Sequence, residues 1–197
     1  MTNTYRFAGI NIQITSIHPV IHQICLGYES NEPAAFSVLT DQNDIDKERF
    51  HADHSEYSDT YLETLAVYRK IAEKLPGYNA FLFHGSAIAV DGAAYIFAAK
   101  SGTGKSTHTR LWREMLGNQA VMVNDDKPLI RVQSDNTALV YGTPWDGKHH
   151  LSNNISVPVR AICILERSQE NQIHEISKSE AFPVLLQQTY RPADTVA

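Results

Sequence analysis

The sequence has no apolar run long enough to cross a bilayer, and its start, Met1-Thr2-Asn3-Thr4-Tyr5-Arg6, has none of the charged-then-apolar layout of a leader. Cysteine is scarce. Cys25 and Cys163 stand far apart in no C-x-x-C spacing, each between apolar neighbours, so they read as buried reduced thiols rather than a disulfide framework or metal knot. Basic charge is also short: 17 Lys and Arg against 22 Asp and Glu leave a net charge of −5, which argues against a surface built to neutralise nucleic-acid phosphates. No repeat or low-complexity tract is present. These absences describe a cytoplasmic protein that partners neither membrane nor nucleic acid.

What is there is an ordinary globular composition, 43% apolar and 20% charged, over 197 residues, enough for one sizeable core with a small appended subdomain. The first fifty residues look β-rich. Residues 10–14 alternate apolar and polar, and residues 20–26 and 34–39 are further strand candidates. The charged stretch 41–57 has no apolar period and reads as a connector. Residues 61–75 carry a helical stripe, capped by Asp59 or Thr60 and ended by Pro76-Gly77. This divides the chain into a β-rich region with one helix, 1–78, and a second domain, 79–197.

In the second domain, residues 80–90 and 93–98 read as strands joined by an Asp91-Gly92 hairpin. Residues 105–116 read as a helix closed by Gly117, 120–123, 129–132, 138–141 and 159–165 as strands, and 179–190 as a last helix. With strands on both sides and few helices between, the expectation is a mixed α/β core rather than a doubly wound sheet.

Between the second of these strands and its helix lies Ala99-Lys100-Ser101-Gly102-Thr103-Gly104-Lys105-Ser106. Apart from Ala99 it fits G-x-x-x-x-G-K-[S/T], the P-loop (Walker A) pattern. Gly102 and Gly104 would let the backbone curl around phosphate oxygens, with Ser101, Thr103 and the free N–H groups of the helix start beside them. Lys105 would reach the β- and γ-phosphates, and the hydroxyl of Ser106, with Thr107 as alternative, would sit on Mg²⁺. A glycine turn with an incidental lysine is the plainer reading. The strand before and helix after favour a nucleoside triphosphate, ATP with Mg²⁺ (Mn²⁺ as alternative).

Two further runs turn nucleotide binding toward phosphoryl transfer. Phe83-His84-Gly85-Ser86-Ala87 precedes the loop strand, and Asn124-Asp125-Asp126 ends the strand after the loop helix. Acids at that strand end can hold Mg²⁺, and one can take a proton from an attacking hydroxyl. Alone, Asn124-Asp125-Asp126 is good turn chemistry and His84 a core histidine.

Together, Phe83 to Ala87, Ser101 to Trp112, Asp125-Asp126 and Tyr141-Gly142-Thr143-Pro144-Trp145-Asp146-Gly147-Lys148 resemble the HPr kinase/phosphorylase and phosphoenolpyruvate carboxykinase superfamily, nearest its small bacterial serine kinases, over about residues 80–190. The resemblance implies a mixed-sheet P-loop core and an ATP-dependent kinase. Its catalytic centre would hold His84 and Lys105, Asp125 would be the base or a metal-bound acid, and Asp126 would complete the metal site with Ser106. The acceptor implied is a serine-type hydroxyl of a peptide or small protein. A nucleotide-sensing regulator without transfer and a small-molecule kinase are the alternatives. Self-association stays open. Lys127 stands where the carboxykinases carry an acid, and their substrate motifs are missing, which sets the decarboxylating reaction aside.

Lesser signals complete the reading. Lys148 and His149, in a Lys-His-His loop, are candidates for phosphate or for an acidic group on the acceptor. Arg110 and Arg113 could reach phosphate, Arg113 reading rather as solvated. Trp112 reads as core, with Leu111 and Met115 on its apolar face. His51-Ala52-Asp53-His54 resembles a metal fragment without a partner and reads as solvated. The end at Arg191-Pro192-Ala193-Asp194-Thr195-Val196-Ala197, just past a helix, leaves C-terminal truncation as an expectation.

Overall fold

Tyr5, Phe7, Ile10, Ile12 and Ile14 all turn to one buried face in a computed structural model of the chain, which describes residues 1–51 and 56–192. They belong to β1 (Thr2–Phe7) and β2 (Ile10–Thr15), an antiparallel pair turned at Ala8-Gly9, where φ is 50° and 73°. Then follow α1 (Val20–Ile24), β3 (Phe36–Leu39), α2 (Gln42–His51) and α3 (Asp59–Lys74). β3 lies parallel on β2, completing a three-stranded sheet, and a 3₁₀ turn, Leu75–Tyr78, closes the unit Met1–Tyr78.

The expected single helix of this region becomes three. Residues 20–26 are helical, not extended, over Val20–Ile24: the amides of His22 and Gln23 bond to the Pro19 carbonyl, and Ile21 and Cys25, one turn apart, are the buried positions. In a strand Gln23 would share their face, but it is exposed, so the burial pattern is helical and packing overrides the β-branched composition. The expected connector 41–57 is helical over Gln42–His51. No apolar stripe announces it, because Ile45 and Glu48 alone face inward. Ion pairs dock it on α3 instead, Asp44 with Lys70 at 2.6 Å and Glu48 with Arg69 at 2.9 Å. Residues 52–55, and with them most of the His51–His54 fragment, lie outside the described residues. Ser58 caps α3, ahead of the expected Asp59 or Thr60.

Glu63, on α3, is 1% exposed. Its carboxylate accepts from the Ile17 amide at 2.6 Å, the His18 amide at 2.8 Å and the Thr40 hydroxyl at 2.7 Å, with the His18 ring at 2.7 Å. Burial alone would raise this carboxyl, but the hydrogen bonds outweigh it and hold it below the ordinary range. Its contribution to stability is therefore present above the unfolded-state pKa and is lost as pH falls through the lower folded one. Glu63→Ala is expected to cost the unit about 2–4 kcal/mol in urea unfolding at neutral pH, because it orphans buried amides. The gap to wild type should close as the titration moves to strong acid.

The unit Asn79–Ala197 is built on a seven-stranded mixed sheet. In chain order come β4 (Ala80–Leu82), β5 (Ser86–Val90), β6 (Ala93–Ala98), α4 (Lys105–Leu116), β7 (Ala120–Asn124), β8 (Leu129–Val132), β9 (Ala138–Tyr141), β10 (Ser156–Ile164) and α5 (Lys178–Gln188). Across the sheet the order is β4-β8-β9-β10-β6-β5-β7, with β10 parallel to β6 and the other pairs antiparallel. The mixed α/β expectation holds. Asp91-Gly92, at φ 51° and 74°, turns the β5–β6 hairpin as expected.

Residues 80–90 are two strands rather than one. Leu82 pairs with Leu129 of β8 at one edge of the sheet, while Ser86 pairs with Phe97 of β6 near the other, so Phe83–Gly85 carries the chain between them. The last helix ends at Gln188, because Thr189 is extended and bridges Phe83. On α4 the buried line is Thr109, Trp112 and Leu116, with Trp112 against Tyr95 and Phe97 at 5.2 and 5.5 Å. Leu111 and Met115 lie off that line and are 48% and 86% exposed, so the apolar face runs on from Trp112 through Leu116 and not through them as expected. Among the described residues no helix is long and apolar enough to cross a membrane.

Candidate functional site

The central strand β6 runs directly into residues 99–104 and these into α4. Gly102 and Gly104 have φ of 75° and 123°, in space where a side chain would meet nothing within 4 Å. They are required by backbone conformation and not by crowding. Gly104 is the N-cap of α4 and supplies no side-chain cap, so the first N–H groups of the helix are left for an outside acceptor. Ser101 and Thr107 are exposed, Thr103 and Ser106 half-buried. Lys105 is buried and folds back, its Nζ donating to the Ala99 carbonyl at 2.8 Å. Burial pulls its ammonium below the usual lysine value, and the carboxylates of Asp126 and Asp125 resist that.

Asp125 is 7% exposed at the end of β7. Ser86 donates to its Oδ1 at 2.6 Å, and the Ser86 hydroxyl lies 3.0 Å from that of Thr109 on α4. Ser86 is 0% and Thr109 1% exposed, so the relay Thr109–Ser86–Asp125 is dry. Its register follows from the sheet: β5 sits between β6 and β7, with Ser86 beside Phe97 and Ala87 beside Asn124. Asn124 shapes the turn that follows. Its side-chain oxygen accepts from the amides of Asp126 and Lys127 at 2.9 and 2.7 Å, while its Nδ2 donates to Thr143 at 3.0 Å. The turn reading of Asn124-Asp125-Asp126 and the functional one are thus compatible.

His84 stands across from this turn, Nε2 to Asp126 Oδ1 at 3.6 Å, with its amide on the Gln188 carbonyl at 2.7 Å. Burial first, then the Lys105 charge, push its imidazole below the ordinary histidine value, against the pull of Asp126. His84 is therefore predominantly neutral at neutral pH. Lys127 Nζ lies 3.4 Å from Asp126 Oδ2. Gly85 has no space for a side chain: a Cβ would stand 3.0 Å from the Phe83 ring and 3.1 Å from the Phe97 carbonyl.

The segment after β9 joins the same place. Asp146 is buried, accepting from the Ser152 amide and pairing with His150, each at 3.0 Å. Gly147, at φ 74°, passes so close to Asp126 that a Cβ would lie 3.2 Å from the aspartate Cβ. Lys148 and His149 follow on an exposed 3₁₀ turn, with no ion pair to the acids among the described residues. Arg110 pairs with Glu114 along the helix. Arg113, read as solvated, is half-buried, and its Nε has no hydrogen-bond partner among the described residues.

The structure thus gathers His84, Lys105, Asp125 and Asp126, and keeps Lys148 and His149 at the rim. Sequence reasoning missed the roles of Thr109, Asn124, Asp146 and Gln188. A polar residue inside an amphipathic helix, one turn after Lys105, was the available signal for Thr109.

Fold and site define a mixed α/β protein with a glycine loop set between a central strand and a helix, facing a pair of aspartates. The chain belongs to the family described as "SynChlorMet cassette protein ScmC", which matches residues 52–193. That description names no reaction. No curated protein matches the chain. Among solved structures, the HPr(Ser) kinase/phosphatase from Coxiella burnetii aligns with a TM-score of 0.36 at 12% identity, over 48% of this chain and 65% of that one. The chain therefore spans less than two thirds of the length of that neighbour.

Proposed function

We propose that the unit Asn79–Ala197 binds ATP at the glycine loop and transfers its γ-phosphoryl group to a hydroxyl of a peptide or small protein. The observation that supports this reading is a buried carboxylate, Asp125, held by Ser86 and near enough to Lys105 to act on its charge, beside a helix start without a side-chain cap. A loop needed only for a turn has no use for a dry relay that aims one acid at it.

In this reading Lys105 leaves the Ala99 carbonyl for the β- and γ-phosphate oxygens, and the first amides of α4 take the remaining charge. Ser86 fixes Oδ1 of Asp125, and Oδ2, without a hydrogen bond among the described residues, faces the acceptor. As the acceptor oxygen bonds to the γ-phosphorus, Oδ2 takes its proton and the β–γ bridging oxygen departs on ADP. Ser106 and Asp126 would hold Mg²⁺, with Asp125 joining them only in the alternative where it is a metal-bound acid and not the base. That ion takes one or two carboxylates plus substrate phosphates, so a site without three or more ligating His, Cys, Asp or Glu side chains among the described residues suits it. When bound it neutralises charge on the β- and γ-oxygens. Neutral His84, beside Asp126, orients that carboxylate. Lys148 and His149 at the rim would meet an acidic group on the acceptor.

The test is the thermal midpoint with and without Mg-ATP. At a concentration of ~100 times Kd, binding adds about 2.7 kcal/mol, a rise of roughly 5–11 °C for a chain of this size. Wild type should show the rise and Lys105→Ala should lose most of it. A folded wild type that does not respond would overturn the reading.

A further inference from the structure

A cleft of about 370 Å³ opens beside the glycine loop, at Gly102, Thr103 and Gly104. Its floor is Thr107, His108 and Leu111 of α4; its far wall is Leu165, Glu166 and Arg167, the segment leaving β10. The wall is tied to the loop. Leu165 N–H donates to the Ala98 carbonyl at 2.9 Å, extending the parallel β10–β6 ladder by one step, and Arg167 donates to the Gly102 carbonyl at 2.6 Å. The floor is also fixed, since the His108 ring packs on Phe97 with centroids 4.4 Å apart. Leu111, which the core does not use, is 48% exposed here.

We infer that this cleft receives the nucleoside end of the nucleotide, with Leu111 and Leu165 against the faces of the base and Glu166 accepting from ribose hydroxyls. The inference rests on the phosphate reading of the loop. The chemistry changes along the surface from the loop to the cleft. The loop offers amides and Lys105, which suit phosphates; a few ångströms on, the surface offers two leucines and a carboxylate, which suit an uncharged ring system carrying hydroxyls. The volume lies in the range that small-molecule sites occupy.

The proposal separates from the loop reading by ligand. Isothermal titration of the full chain with Mg-ATP and with magnesium tripolyphosphate should give ATP at least about tenfold the tighter Kd. In Leu111→Ala and in Glu166→Ala, both at exposed positions, ATP should weaken by about fivefold or more and tripolyphosphate by less than about twofold. Tripolyphosphate binding as tightly as ATP would overturn the cleft and leave the loop reading standing, as would variants that weaken both ligands equally. Binding of neither ligand to the folded chain would end both.

Discussion

Gly142→Ala is expected to unfold the Asn79–Ala197 unit or leave it barely stable. Gly142 follows β9, and its amide donates to the Ile155 carbonyl at 3.1 Å. A Cβ there would stand 1.9 Å from the Asn153 carbonyl oxygen and 2.6 Å from that of Val123. Both atoms are backbone, so no side chain can swing aside. The sheet itself must part, at a cost of about 3 kcal/mol or more, above the usual range for overpacking a core because backbone has to move. Both tryptophans, Trp112 and Trp145, belong to this unit. Tryptophan fluorescence in urea therefore reads it alone, and the midpoint should drop sharply or the native emission be absent. Gly77→Ala, where a Cβ meets nothing within 4 Å and φ is not positive, is the control for glycine substitution as such; it lies in the unit Met1–Tyr78, so far-UV circular dichroism reads it, and it should stay within about 0.5 kcal/mol. A native-like midpoint for Gly142→Ala would contradict the packing described here.

Asp125→Asn should abolish transfer while sparing nucleotide. The amide keeps the shape and can still accept from Ser86, but it cannot take a proton from a hydroxyl. Loss of a positioned general base lowers turnover by about 10²–10⁴-fold. Phosphate release or phosphopeptide formation from radiolabelled ATP reads the loss, and the Mg-ATP midpoint shift reads the binding. Transfer lost with the shift retained is the expected pair of results. Wild type that binds ATP and turns over nothing, with any acceptor, would favour the regulatory alternative. Ser86→Ala should fall between, because the carboxylate stays and only its aim is lost.

The part of the fold around the loop was legible because the chemistry constrains it: a strand must deliver the glycines and a helix must follow Lys105, and β6 and α4 sit where those demands put them. Asp125 and His84, singled out in the sequence, stand near enough to Lys105 for the charges to act on one another, which gives their placement and not their role. Elements held by polar contacts were not. α2 has scarcely any apolar stripe, and what fixes it is the pairing of Asp44 and Glu48 with Lys70 and Arg69 on another helix, which no periodicity reports. α1 was hidden by β-branched residues whose helical burial pattern shows only once Ile21 and Cys25 are seen to face one way. Thr109 was invisible as a site residue because its partner Ser86 is distant in sequence and becomes a neighbour through the register of β5 on β6. The split of residues 80–90 escaped for a related reason: apolar residues on either side of His84 feed different places in one sheet.

The strand order carries a consequence for how the molecule is made. Ala93–Ala98 and the glycine loop leave the ribosome early in the second unit, yet the neighbour that flanks that strand on one side is Ser156–Ile164, far along the chain. That parallel pairing is long-range, and loop-closure entropy must be overcome before it forms, which makes such topologies slow to fold. Until it closes, the Leu165 wall and the Arg167 tether are missing from the loop. A nascent chain therefore carries the whole glycine motif well before the wall and tether that flank it can form.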